Sequence, residues 1–476
     1  MNMKVKMILP SLTEAGSPFW RPIKYSLFPP LGLATLAGYL DADDEVEIVD
    51  QHVENLNLED SPDLVIIQVY ITNAYRAYRI ADSYRQAGSY VVLGGLHVTA
   101  LPDEAAPHAD SIFLGPGEDT FPEFLRDLRN GKPGRIYRST QRSLLNTPPV
   151  RHDLIKRHLY LVPNSIVVSR GCPHHCDFCY KDSFFSGGKT FYTKLIDDAL
   201  LEIEKLPGRH LYFLDDHLFA NPVFASALFD GMSGMNRVFQ AAGTVRSVLS
   251  GNLMEKAAKA GLRSLFVGFE TMSPDNLLMS NKSQNLNYSY DRAIRKLHEL
   301  GIMINASFIF GMDSDDRDVF SSTVDWAVKQ AVTTATFHVL TPYPDTPLFR
   351  RLQEQKRITS FNWDEYDTRH AVFTPARMTG QELEEGYNKT YRDFYSMNNI
   401  LASGLNHEKL KHILKHLAYT FGWKKMEPLW GLIIQAGQLT RMRPILESIL
   451  SKVEYARDIS IKQNGDRSQT QKLIRA

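Results

Sequence analysis

"SRGCPHHCDFCYKD" (residues 169–182) carries Cys172, Cys176 and Cys179, which are all the cysteines in a chain of 476 residues. It follows the apolar run "SIVVS" (165–169), where a first strand hands over to a loop. An odd, tightly clustered set cannot form a disulfide framework, and clustered thiols in a reducing compartment bind metal or do redox work. The spacing Cys-x3-Cys-x2-Cys places three thiolates on one loop, enough for three corners of an iron-sulfur cube. The fourth iron is then open to a small chelating molecule. The competing reading is zinc, with His174 or His175 completing a Cys3His set. Structural zinc sites usually draw ligands from two separated knuckles, whereas here one loop opens a β-α series, which favours the cluster. A set of buried core cysteines fits poorly beside His174, His175, Asp177 and Lys181.

Downstream the chain alternates short apolar runs with helix-like segments. The strands expected are 165–169, 210–216, 238–245, 262–270, 302–312 and 336–344. Six strands within about 180 residues fall short of the roughly 250 typical of a closed eight-unit barrel, so a partial (β/α)6 barrel is expected. Upstream, five runs ("VKMILP", "EVEIVD", "DLVIIQVY", "YVVLGG" and "SIFLGPGE") alternate with helical patterns and predict a doubly wound parallel sheet. Such sheets bind ligands at the carboxyl ends of their strands. Those ends carry Leu9 and Pro10, Asp50, Tyr70, Ile71 and Thr72, Gly94 and Gly95, and Gly115, Gly117 and Glu118.

This is an α/β chain with a helical end. Residues 1–135 form the first unit, 136–164 a breaker-rich linker ("GKPG", "NTPPVRHDL"), 165–375 the barrel, 376–457 a helical C-terminal domain and 458–476 a polar tail. The stretch "WDEYDTRHAVFTPARMT" (363–379) suits a pocket wall and equally a packed linker. "EKLKHILKHLAYTFGWKKMEPLW" (408–430) pairs Lys409, Lys411 and Lys415 with Leu410, Ile413, Leu414 and Leu417. It is expected to pack on its own protein with a solvated lysine face, a peripheral membrane contact being the second reading.

With 43% hydrophobic and 23% charged residues the chain reads as globular. Lys plus Arg equals Asp plus Glu at 54 each, so no net field draws it to nucleic acid, and no nucleic-acid partner is expected. Pro10 and Glu14 interrupt the start before a signal peptide or membrane span develops, and the expected location is the cytoplasm.

The cysteine triplet with Phe178 before its last member resembles the signature of the radical S-adenosylmethionine (SAM) superfamily. The resemblance implies a [4Fe-4S] cluster on Cys172, Cys176 and Cys179, with SAM chelating the open iron. It also implies cleavage of SAM to a 5'-deoxyadenosyl radical by an electron from an external donor such as flavodoxin or ferredoxin. Phe178, Tyr180, Asp215, Asp216, Arg246, Glu270 and Gly311 occupy positions that the family gives to SAM binding. Arg246 would fork onto the SAM carboxylate, and its plainer reading is a surface ion pair. Gly311 would let backbone approach the adenosine. "TPYPDTPLF" (341–349) resembles the family's "PYPGTPL", with Asp345 in place of glycine, which leaves that turn open.

The first unit is similar to the cobalamin-binding domain of cobalamin-type radical SAM enzymes, through "PPLGLATLAGYL", "VVLGGLHVTALPDEA" and "GPGEDTF". Leu9, Pro10, Tyr70, Ile71, Thr72, Gly94, Gly95, Gly115, Gly117 and Glu118 are the cobalamin-side residues that this implies. Gly94 and Gly95 are expected to be bare so that a flat corrin can approach, the alternative being an ordinary glycine turn. Cobalt-ligating relatives carry Asp-x-His-x-x-Gly after the first strand. Here "DQHVEN" (50–55) follows the second strand and ends in Asn55, so it is read as coincidence, with His52 a surface histidine. Tyr70 or Ile71 would then lie under the metal. The function implied is methylation of an unactivated carbon of a small molecule or lipid. The alternatives are a radical dehydratase, epimerase or cyclase with a vestigial first domain and, more remotely, a zinc-containing interaction module.

Overall fold

The computed structural model describes residues 2–12 and 27–422. The first sheet comprises β1 (Lys4–Leu9), β2 (Glu45–Asp50), β3 (Leu64–Gln68), β4 (Tyr90–Gly94), β5 (Ser111–Leu114) and β6 (Ile136–Arg138). It runs β2-β1-β3-β4-β5-β6, with every neighbour parallel. Continuous apolar runs such as β3 "LVIIQ" suit a sheet covered on both faces. Val65 and Ile67 join a core with the helix Ala74–Gln86, while Leu64 and Ile66 join one with the helices Leu31–Ala37 and Phe121–Arg129. The strand order reverses between β1 and β3, which opens a crevice beyond their carboxyl ends. The sheet has six strands where five were expected. The extra one, β6, pairs with β5 at the start of the breaker-rich connection.

After β7 (Ser165–Ile166) the chain forms an antiparallel ribbon, β8 (Ser169–Gly171) with β9 (Phe191–Thr193). The expected strand 165–169 is thus split. Val168 and Ser169 give their backbone N–H groups to the Asp215 carboxylate and leave the sheet. The second sheet continues through β10 (His210–Phe213), β11 (Val238–Gly243), β12 (Leu262–Glu270), β13 (Met303–Phe310) and β14 (Thr334–Val339). Its order is β14-β13-β12-β11-β10-β7, all parallel and open, which is the partial barrel. Phe269, Phe308, Phe310 and Phe337 stack across its strands with centroids 5.8–6.0 Å apart.

The helical domain expected from 376 onward opens with two helices, Gly380–Phe394 and Met397–Leu405. Ser396 divides them because its side chain caps the second by accepting from Asn399 N–H. At the following helix, Leu410–Thr420, the solvated lysine face holds for Lys409 and Lys411, which are exposed, and fails at Lys415. The Lys415 ammonium is buried without a partner among the described residues, while Leu410 and Leu414 are exposed. The expected helical stretch beyond 422 and the tail lie outside the described residues. Among the described residues no helix is long and apolar enough to cross a membrane.

Candidate active site

The β8–β9 ribbon closes the base of the loop that carries the three cysteines. The loop is stitched at several points. Cys179 N–H donates to Cys176 O (3.0 Å), Asp177 N–H to Ser280 O (3.1 Å), and Asn281 Nδ2 to His175 O (2.6 Å). Arg351 Nη1 donates to the Asp177 carboxylate (2.6 Å), and Gln284 Nε2 to Cys176 Sγ (3.4 Å). Arg142, in the connection, caps the far half of the loop by donating to the carbonyls of Phe185, Ser186 and Lys189. Phe178 roots the loop by packing on the barrel core and lining a crevice with Met312, Leu348 and Phe373.

Burial raises all three thiol pKa values, that of Cys179 to about 12. Buried thiols of this kind ionise readily only when a cation takes up the charge. Among the described residues no three His, Cys, Asp or Glu side chains converge on a single ion position. Both histidines have other ring partners. His175 Nδ1 lies 2.9 Å from the Asp182 carboxylate, and His174 stacks on His217 at 5.6 Å. Burial first, then the charges of Lys282 and Arg246, holds His174 below its usual range. Arg246, itself exposed, thus lies within electrostatic reach of the loop.

Asp215 is committed to structure. Its buried carboxylate accepts from Val168 N–H, Ser169 N–H and Ser169 Oγ, and burial pushes its pKa up to about 7. Asp216 faces the loop, pairs with Lys181 and accepts from Gly171 N–H (2.8 Å). Glu270 ends β12 at a register shift with φ 64°, a left-handed conformation that costs a non-glycine residue roughly 1–3 kcal/mol. Its carboxylate pairs with Lys282 and accepts from Ser307 Oγ (3.3 Å). Gly268 leaves room for this, since a Cβ there would lie 2.4 Å from the carboxylate. Gly311 has φ 98°, and a Cβ would meet Leu383 at 2.7 Å. Packing of the C-terminal helix thus accounts for this glycine without any ligand.

Two cavities adjoin the loop. The first, about 470 Å³, lies beyond the strand ends of the first sheet. Leu9, Tyr70, Gly94, Gly95, Gly115, Gly117 and Glu118 line it, together with Arg170, Lys181 and Asp216 from the second unit. The second, about 400 Å³, is lined by Ile71 and Thr72 and by the aromatic walls Tyr343 and Tyr366. Tyr70, Leu96 and Tyr180 line both. Pro10 lines neither. Its carbonyl accepts from Asn73 Nδ2 and fixes the turn after β3. Gly95 has φ 118°, and a Cβ would strike Val69 O at 2.7 Å, so the backbone itself requires this glycine.

His52 is buried rather than on the surface. Its Nδ1 lies 2.8 Å from the Asp50 carboxylate, its Nε2 accepts from Leu12 N–H, and it borders the second cavity. The reading of 363–379 as a pocket wall holds for Tyr366 to Arg369, which line that cavity. Sequence reasoning passed over Arg142, Arg170, Lys282 and Gln284. Arg170 alone had a local signal, being inside the cysteine stretch.

Two domain models match the chain in order, the B12 binding domain over residues 25–125 and the Radical SAM superfamily over 166–327. Bacteriochlorophyllide d C-12(1)-methyltransferase of Chlorobaculum tepidum is 31% identical over 352 residues, covering 71% of this chain and 76% of that protein. Bacteriochlorophyllide d C-8(2)-methyltransferase of the same organism is 27% identical over 82% of this chain and 90% of that protein. Among solved structures, the cobalamin-dependent S-adenosylmethionine radical enzyme OxsB superposes with a TM-score of 0.65 at 15% identity, over 95% of this chain and 76% of that one, a likeness of fold. The chain therefore belongs to the radical SAM enzymes that carry an N-terminal B12-binding domain.

Proposed function

We propose that this enzyme methylates an unactivated carbon of a largely apolar small molecule, using a [4Fe-4S] cluster, SAM and cobalamin. The observation that carries the reading is the shared wall. Two cavities of about 470 and 400 Å³ meet at Tyr70, Leu96 and Tyr180, and Tyr180 directly follows Cys179. When bound, the cluster with SAM supplies a 5'-deoxyadenosyl radical, and cobalamin supplies the methyl group.

In this reading Cys172, Cys176 and Cys179 hold the cluster, and Asp216, Arg246 and Glu270 face SAM. The first cavity would take cobalamin, with Glu118, Tyr70 and the strand-end glycines along its wall. Residues 1–135 are the cobalamin unit and 165–375 the radical unit, with β6 of the connection adding a strand to the first. The second cavity takes the substrate. Its aromatic walls exclude water from reactive groups, and Arg369, paired with Asp367, marks its polar end. The two relatives named above act on bacteriochlorophyllide, a large and mostly apolar molecule, which agrees with such walls. Electrons come from an external donor such as flavodoxin or ferredoxin.

The test is anaerobic reconstitution with iron, sulfide and hydroxocobalamin, followed by incubation with methyl-deuterated SAM and cell extract. The expected result is 5'-deoxyadenosine together with a metabolite carrying the labelled methyl. Deoxyadenosine formed by protein that takes up no cobalamin would replace this reading with a dehydratase, epimerase or cyclase. Protein that takes up zinc and no iron would end it.

A further inference from the structure

Arg170, two residues before the first cysteine, lies on β8 opposite Tyr192 and lines the 470 Å³ cavity. A guanidinium has five N–H donors and is never deprotonated in proteins. Among the described residues one side-chain contact is made, an ion pair of Nη2 with Glu118 Oε1 at 2.8 Å; Nε is closed off from the cavity, and the side chain keeps 25% of its surface open, which leaves the Nη groups as the donors that can reach an occupant. Glu118 comes from the loop after β5, so the pair spans the first sheet and the ribbon that carries the cysteine loop. Without an occupant these part-exposed Nη groups are left to water, and an occupant that displaces the water has to accept from them in its place or their hydrogen bonds are lost. Glu118 already balances the charge, so the matching acceptor is neutral.

We infer that Arg170 is a corrin-positioning residue: held by Glu118, it donates its free Nη N–H groups to carboxamide carbonyls on the rim of a cobalamin ring in this cavity. The inference rests on the cobalamin reading above. It ties the ring to the same residue run that presents Cys172, so the cluster loop and the ring keep one spacing.

Hydroxocobalamin and cobinamide, which keeps the ring carboxamides and lacks the nucleotide tail, are titrated into the reconstituted full chain and followed by corrin absorbance. Iron content and thermal unfolding are read in parallel. Arg170→Gln is expected to weaken both corrins by about tenfold or more with iron content unchanged. Arg170→Lys, which keeps the charge for Glu118 and loses the fork, is expected to weaken both by about threefold. Should the Gln variant fold poorly, the Lys variant decides. Unchanged affinity in the folded variants overturns the inference, and so does a loss confined to cobalamin, which would place the contact on the tail phosphate. Wild-type protein that binds neither corrin would instead overturn the functional reading itself.

Discussion

Gly171 shows how much one residue carries at the mouth of the cysteine loop. Its φ is 79°, and a Cβ would lie 2.0 Å from Thr190 O, a backbone atom of the returning arm of the loop. Left-handed backbone costs an L-residue about 1–2 kcal/mol before any clash is counted. Gly171→Ala should therefore force the two arms apart and lower the iron retained after reconstitution to less than about half, read by iron content and cluster absorbance. Iron content equal to wild type would show that the arms can yield. Asp345 solves the same conformational problem differently. At φ 61° it stands where the family motif has glycine, and its carboxylate accepts from Ser183 Oγ (2.5 Å) and Arg350 Nη1 (3.0 Å). Asp tolerates this region better than most residues because its short polar side chain can bond locally. The turn left open by the motif is thus kept, and it is tied to the cysteine loop.

At the scale of elements, the ribbon β8–β9 is a device the apolar pattern does not announce. It exists because a carboxylate, Asp215, replaces a neighbouring strand as acceptor for Val168 and Ser169, freeing the next residues to pair with β9. The helix Leu410–Thr420 likewise breaks its pattern, with Lys415 turned inward. Burial first, then Arg263, pushes the Lys415 ammonium from its ordinary 10.5 down to about 8. Below pH 8 folded and unfolded chains both carry the charge, and the whole burial cost stands. Between pH 8 and 10.5 the folded chain gives up its proton first, so this group's contribution to stability rises with pH across that window. Lys415→Met should stabilise the protein at pH 7 by about 1–2 kcal/mol and remove the rise, checked by thermal unfolding at pH 7 and 9.5. A lower midpoint at pH 7 would mean that the ammonium finds a partner there.

For the whole molecule, the first cavity has walls from both sheets, including Gly94 and Gly115 on one side and Arg170 and Asp216 on the other. A ligand that fills it stabilises the pairing of the units as well as each unit alone. At a hundredfold excess over Kd, such binding adds about 2.7 kcal/mol. Hydroxocobalamin should therefore slow amide hydrogen exchange in β3 and β4 and, to a similar degree, in β7 and β8, followed by mass spectrometry. Protection confined to the first sheet would show that the cavity closes without the second unit. The same geometry explains why the runs 363–379 and 341–349 matter to a site some 170 residues away, since Tyr343 and Tyr366 wall the cavity that Tyr180 enters.

What the sequence determined by itself is what repeats or spaces locally. Apolar runs of strand length between helical patterns give two parallel sheets, and three thiols within eight positions define the metal loop. "GPGEDTF" and "YPDTPLF" mark strand-end turns in the same way. What only the tertiary structure decided is convergence. Arg170 meets Glu118, Arg142 grips the carbonyls of Phe185 and Ser186, and Lys282 balances Glu270 across a strand-end bulge. It also decided burial, taking His52 and Lys415 inward against their patterns and spending Asp215 on backbone N–H groups. The reason is range. Periodicity and spacing report forces along a few residues of chain, whereas the partner of a buried charge is fixed by which strand ends the packing of two sheets brings face to face.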